Sequence, residues 1–160
     1  MMPEYSGRLH AIGRVAIIVS RYHERVTSRL LDGARTTCLE AGIADEDVDT
    51  LWVSGAFELG VTAMAAAHSG RYSAVVALGA VVRGETPHFD FVAGETAAAL
   101  SRAATETLVP VGFGLLTCDT MDEAVARAGG AAGNKGQEAA EAALRAADLL
   151  MQLELEPDSE

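Results

Sequence analysis

Aromatic residues are scarce in this chain. Phe, Trp and Tyr make up 5% of its 160 residues, so a core built on large flat side chains is excluded. Abundant Ala and Gly imply instead helices that pack closely through small side chains. Basic residues are few as well. Lys and Arg number 12 against 23 Asp and Glu, a formal net charge of −11, which repels nucleic acid and anionic membranes and leaves neither as an expected partner. An anionic substrate on such a chain must be held by a few local cations. Cysteine is nearly missing: Cys38 and Cys118 have neither metal-ligand nor redox spacing and read as buried thiols. No apolar run reaches transmembrane length, and Met1-Met-Pro-Glu-Tyr5 has no basic or apolar signal region. The expected location is therefore the cytoplasm. There is no metal motif and no Walker sequence, and Gly112-Phe-Gly114 lacks the spacing of a dinucleotide fingerprint. The residues call for no metal and no cofactor.

What is present is ordinary globular composition, 49% hydrophobic and 22% charged. One domain over residues 1–160 is the simplest organisation, long enough to bury roughly two-thirds of its unfolded surface. Four β-branched runs stand out: Val15–Val19, Val48–Val53, Ala74–Val82 and Val109–Leu116. They are continuously apolar rather than alternating, as strands covered on both faces are. Helical periodicity lies between them. Val26, Leu30, Ala34 and Cys38 recur every four residues, and further helices are predicted from Phe57 to His68 and from Pro87 to Thr107. Thr120-Met-Asp-Glu123 is a capping-box pattern with Gly129-Gly130 as its stop, and Asn134 opens an Ala-rich helix reaching Leu150 or beyond. Strands alternating with helices give an α/β three-layer sandwich with a four-stranded parallel sheet. Residues 1–12 read as an arm or short strand for a sheet edge, and the acidic tail 154–160 is expected to fray.

In such sheets ligands bind beyond the carboxyl ends of the strands. Three segments fall there. Ser20-Arg-Tyr-His23 offers the flat face of Tyr22, and Ser54-Gly-Ala-Phe-Glu58 offers a first-turn carboxylate for hydroxyls. The third, Arg83-Gly-Glu-Thr-Pro-His88, runs into a helix start with Thr86 as N-cap and Pro87 at the first helical position. The backbone of Gly84, Glu85 and Thr86 with the free helix N–H groups forms a cradle for an anion such as phosphate. The same positive end disfavours imidazolium, which keeps His88 neutral and able to exchange protons. Each residue also has a plain structural role open to it, Tyr22 and Phe57 as packing aromatics and Glu58 as a helix-start acid. Two cations remain. Arg127 lies four residues after Glu123, the spacing of a solvated helix pair. Lys135 opposes the dipole of its own helix, so it answers either Glu138 or an anionic or hydroxyl-rich ligand.

Taken in order, Ser20-Arg-Tyr-His23, Gly55-Ala-Phe-Glu58, Ala77-Leu-Gly79, Val82-Arg-Gly-Glu-Thr-Pro-His-Phe-Asp90, Val111-Gly-Phe-Gly-Leu-Leu-Thr117, Arg127-Ala-Gly129 and Gly133-Asn-Lys-Gly136 resemble the lumazine synthase family over nearly the whole chain. The resemblance implies a flavodoxin-like fold and a cofactor-free transferase of riboflavin biosynthesis. Its reaction condenses 5-amino-6-(D-ribitylamino)uracil with 3,4-dihydroxy-2-butanone 4-phosphate, releasing phosphate and water, to give 6,7-dimethyl-8-ribityllumazine. It further implies Tyr22 stacking on the pyrimidine, and Ala56, Phe57 and Glu58 holding the ribitylaminouracil. Ala80, Val81 and Val82 would line the ring, Glu85 and Thr86 would bind phosphate by main-chain N–H, and His88 would transfer protons. Phe113, Arg127 and Lys135 match positions that complete the site, Phe113 and Arg127 from an adjacent subunit, Arg127 binding the phosphate, and Lys135 near the ribityl chain.

Two departures are visible: Tyr22 stands where Phe or Trp is usual, and Gly60 where Pro is common, which is expected to loosen that helix start. The family also implies a homo-oligomer, a pentamer or twelve pentamers in an icosahedral shell, with the N-terminal segment pairing with a neighbour and riboflavin synthase as a candidate partner. The short Gly130-Ala-Ala132 connection resembles the shell-forming members. The readings that compete with an enzyme are a non-catalytic flavodoxin-like module for a flavin or phosphorylated ligand, and a shell protein.

Overall fold

The computed structural model of the chain describes residues 2–155, with side chains through Glu154. Four parallel strands, β1 (Val15–Ser20), β2 (Val48–Val53), β3 (Ala74–Val82) and β4 (Val111–Cys118), form one sheet in the order β2-β1-β3-β4. Val15 pairs with Val48 on one side and Ala74 on the other, and Val75 pairs with Val111. Because side chains alternate along a strand, Val15, Ile17 and Val19 feed one face while Ala16 and Ile18 feed the other. Both faces are covered, and that is why these runs carry no polar alternation.

On the first face lie α1 (Glu24–Glu40) and α5 (Lys135–Leu155), with Val26, Leu30, Ala34, Ala140 and Leu144 in the core. The second face carries α2 (Leu59–His68) and α3 (His88–Thr107), which bury Leu59, Ala63, Leu100 and Ala103. Truncating Leu30 or Leu144 to Ala is expected to cost about 2–5 kcal/mol. Small residues set the helix crossings. A Cβ on Gly136 would sit 2.0 Å from the Leu30 carbonyl oxygen, so α5 meets α1 backbone to backbone. Gly60 plays the same part on the second face, where a Cβ would lie 2.5 Å from the Cβ of Ala99. It is a close-approach residue inside α2 rather than a loosened helix start.

Several boundaries differ from the sequence reading. β4 starts at Val111, after Pro110, which has no N–H to give the ladder, and continues through Thr117 and Cys118 opposite Val81 and Val82. The segment predicted as helix from Phe57 begins as a single 3₁₀ turn, Ala56–Glu58, before α2. Helix α3 begins at His88, with Pro87 rather than Thr86 at the N-cap position. Helix α4 (Met121–Ala126) stops before Arg127, and Ala128–Gly130 and Gly133–Asn134 form an unforeseen antiparallel ribbon, β5 and β6. Both expected caps are made: Thr120 accepts from the Glu123 N–H, and Asn134 Oδ1 accepts from the N–H groups of Gly136 and Gln137.

Residues 2–14 form no strand within this chain. The arm lies along α5 instead, where Arg8 N–H donates to Asp148 at 2.7 Å, His10 meets the other Asp148 oxygen, and Arg145 and Gln152 donate to the carbonyls of Gly7 and Ser6. Glu154 and Leu155 of the expected acidic tail are helical, and residues 156–160 lie outside the described residues. Among the described residues no helix is long and apolar enough to cross a membrane.

Candidate active site

The parallel sheet brings the ends of β1, β2 and β3 to one edge, and a cleft of about 850 Å³ opens there. This is the size of a small-molecule site. Beyond β1, the ladder to β2 continues through Arg21 N–H to the Val53 carbonyl and Tyr22 N–H to the Ser54 carbonyl. Those two bonds hold Tyr22 beside the Gly55–Glu58 turn. His23 closes the turn in the left-handed region, φ 61°, and its ring meets Tyr22 edge-on at 4.4 Å. Burial lowers the His23 pKa below its ordinary value. Tyr22 and Phe57 are 66% and 63% exposed. Neither is core packing, so the structural role open to each on sequence is not the one observed.

Ala56, Phe57 and Glu58 come from the 3₁₀ turn after β2, and Ala80, Val81 and Val82 from the last turns of β3. Buried Thr96 on α3 donates to the Ala56 carbonyl at 3.3 Å and fixes that turn to the helix. The opposite wall is α3. His88, Phe91, Val92 and Glu95 all line the cleft, because positions i, i+3, i+4 and i+7 share a helix face. At the mouth, Gly84 and Thr86 line the cleft and Glu85 lies between them in the exposed loop. Thr86 Oγ1 accepts from His88 N–H at 3.4 Å, so Thr86 still serves the helix start from outside the helix. Arg83 anchors the base of the loop, its N–H donating to Cys118 O at 2.9 Å.

The cleft therefore gathers Tyr22, Ala56, Phe57, Glu58, Ala80, Val81, Val82, Gly84, Thr86 and His88 from three separate segments. Phe113, Arg127 and Lys135 do not line it. Phe113 is exposed in the middle of the edge strand β4, paired with Ala77 and so below the strand ends that form the cleft. Arg127 caps α4 and donates from Nη1 to the Glu123 carbonyl, not to its carboxylate. Lys135 Nζ meets Glu138 Oε2 at 2.9 Å, the ordinary pairing its spacing suggested. A smaller hollow of about 490 Å³ lies between the start of α1 and α4, bounded by His23, Arg25, Arg29, Met121 and Asp122. It contains none of the Arg83–His88 loop.

Phe91, Val92 and Glu95 were not singled out from the sequence. Their signal was present, since they follow His88 at helical spacing on the face turned toward the strand ends. Among the described residues no group of three His, Cys, Asp or Glu side chains is placed to hold a metal ion.

This arrangement offers aromatic faces, backbone groups for a planar ring, a carboxylate for hydroxyls, and a loop with a histidine at a helix start. Comparison with known proteins agrees with it. The family model for 6,7-dimethyl-8-ribityllumazine synthase matches residues 13–151. A 6,7-dimethyl-8-ribityllumazine synthase of Gemmatimonas aurantiaca (strain DSM 14586 / JCM 11422 / NBRC 100505 / T-27) is 51% identical over 149 residues, covering 92% of this chain and 91% of that protein. The chain belongs to the 6,7-dimethyl-8-ribityllumazine synthase family.

Proposed function

We propose that this chain condenses 5-amino-6-(D-ribitylamino)uracil with 3,4-dihydroxy-2-butanone 4-phosphate in the cleft at the strand ends. The single observation that carries this reading is the convergence of Tyr22, the Ala56–Glu58 turn, the Ala80–Val82 strand end and the Gly84–His88 loop on one cleft. Tyr22 and Phe57 present faces for the pyrimidine, and the backbone of Ala80–Val82 reads its edge. Glu58 accepts from ribityl hydroxyls. The N–H groups of Glu85 and Thr86 hold the phosphate of the second substrate at the start of α3.

The uracil amine attacks the ketone of the butanone phosphate, and loss of water leaves an imine. Phosphate then departs and the ring closes with expulsion of a second oxygen as water, so protons must be delivered and removed in turn. His88, at the first helical position beside the phosphate loop, is the group for that traffic. Helix N–H groups stabilise charge on the leaving phosphate. Holding two substrates in register supplies much of the rate, because a bimolecular step becomes effectively unimolecular.

Among the described residues no Lys or Arg of the chain lines the cleft. Arg127, Lys135 and Phe113 lie away from it, which supports a site completed by an adjacent subunit: Phe113 and Arg127 of one chain facing the His88 loop of the next, with Lys135 near the ribityl chain. Closed cyclic association follows. A pentamer is the unit, and the tight Gly130–Gly133 turn between β5 and β6 leaves no insertion to obstruct packing of pentamers into a sixty-chain shell. The Tyr5–His10 segment, lying along α5 of its own chain, would then also meet a neighbour's edge strand. The cytoplasm is the expected location, and riboflavin synthase is a candidate partner of the shell.

The test is absorbance-monitored turnover with both named substrates. Formation of the lumazine chromophore supports the reading. Ligand-induced stabilisation with no product would favour a non-catalytic module.

A further inference from the structure

The Arg83 side chain meets two carboxylates and a ring, and of these three partners only Phe89 belongs to the cleft lining. Its Nε donates to Asp119 Oδ1 at 2.9 Å, its Nη1 to Asp90 Oδ1 at 3.5 Å, and its guanidinium carbon stands 4.3 Å over the Phe89 ring. Asp90 is the acidic residue in the first turn of α3, and Asp119 begins the connection from β4 to α4. The loop between Arg83 and Asp90 is otherwise loosely built. Gly84 has nothing within 4 Å of where a Cβ would stand, and residues 84–88 are exposed.

These pairs do little for stability. Arg83, Asp90 and Asp119 side chains are 46%, 63% and 69% exposed, and exposed ion pairs contribute little to stability. Their consequence is local. Asp90 sits at the helix end whose N–H groups would hold phosphate, where an unpaired carboxylate competes for the same positive potential and repels the ligand. Arg83 reaches across the base of the loop and takes up that carboxylate, and Asp119 with it.

We propose that Arg83 is a positioning residue of the phosphate subsite: it closes the base of the Gly84–Pro87 loop and pairs with Asp90 and Asp119, offsetting half of their combined charge and drawing both carboxylates away from the start of α3, where the phosphate of the substrate binds. The guanidinium does not touch the phosphate itself. Only a planar fork serves two carboxylates in different directions while lying flat on Phe89. The inference rests on the reading of Gly84–Thr86 as the phosphate-binding loop.

The experiment is steady-state kinetics of Arg83→Gln, Arg83→Lys and the triple variant Arg83→Gln/Asp90→Asn/Asp119→Asn, with inorganic phosphate as a competitive inhibitor. Arg83→Gln should raise KM for the butanone phosphate and Ki for phosphate about five- to tenfold, with KM for the uracil changed less than about twofold. The triple variant, having no unpaired carboxylate, should recover most of that loss. Arg83→Lys should fall between wild type and Arg83→Gln, and it carries the test should Arg83→Gln fail to assemble. Unchanged KM and Ki, a parallel rise in both KM values, or a triple variant no better than the single one would overturn the proposal. Glu85→Pro, which deletes one loop N–H, separates the two failures. If it raises Ki while Arg83→Gln does not, Arg83 alone is wrongly assigned; if both are silent, the phosphate loop is misplaced.

Discussion

The backbone N–H of Lys135 donates to the carbonyl of Arg127 at 2.9 Å. The β5–β6 ribbon folds the chain back on itself and ties Arg127, just past the end of α4, to the first residue of α5. Neither faces the His88 cleft of the same chain. On a chain with a net charge of −11, the proposed two-chain site would draw its phosphate-binding cation from Arg127 of another copy.

Arg127→Ala is accordingly expected to raise KM for the butanone phosphate by about ten- to a hundredfold, the loss of one charge-assisted contact to phosphate, and to leave KM for the uracil within about threefold. Initial-rate measurements with each substrate varied in turn check this. Equal changes in the two values would remove Arg127 from the phosphate end.

His88→Ala should lower kcat by about 10²–10⁴-fold while binding of the uracil substrate is retained, because His88 moves protons rather than gripping the ring. Calorimetric titration with the uracil, alongside turnover, separates the two effects. Turnover unchanged between pH 6 and 8 in the variant would exclude His88 from the chemistry.

Acid stability follows from two carboxylates far from the cleft. Asp148 is held well below the ordinary carboxylate range, chiefly by its hydrogen bond with His10 and then by the Arg8 N–H. Asp49 is lowered by the Tyr72 hydroxyl, which donates at 2.6 Å, and then by Arg14. Both titrate lower in the folded chain than in the unfolded one. Their stabilisation is therefore complete above about pH 5 and lost as pH falls through the folded values. Thermal unfolding across pH 2–8 should show a steep acid limb in the wild type. Asp148→Asn should flatten it and free the arm to proteolysis near Arg8. A variant with the wild-type acid limb would show that the arm is held by something else.

Light scattering at neutral pH tests the assembly. A particle of sixty chains is expected, set by the short Gly130–Gly133 turn. A particle of five chains, stable on dilution and in phosphate, would contradict the shell and leave the enzyme assignment in place.

The parallel sheet and its helices were legible because Val15–Val19 and Ala74–Val82 are apolar without alternation, which only a doubly covered strand tolerates. Thr120 and Asn134 announced two helix starts through their side-chain oxygens. The β5–β6 ribbon was not legible. Four of its five residues are glycine or alanine, and the fifth, Asn134, ties it to α1 by donating to the Arg29 carbonyl. The anchoring of the arm was hidden for a similar reason. Asp148 reads as one more residue of an Ala-rich helix until the fold buries it against His10. Of the candidate site, the strand-end residues were legible from position alone. Whether Phe113, Arg127 and Lys135 serve it was not, since no spacing within one chain encodes a contact made with another.

The most direct measurement is activity recovered by mixing two impaired variants. His88→Ala and Arg127→Ala chains, unfolded together and reassembled at equal ratio, place an intact His88 loop beside an intact Arg127 in roughly a quarter of the shared sites of a closed ring. Assayed with butanone phosphate well below the wild-type KM, activity approaching that fraction of wild type is expected, where each variant reassembled alone gives about a tenth or less. Mixed assemblies no more active than the separate variants would contradict a site built from two chains.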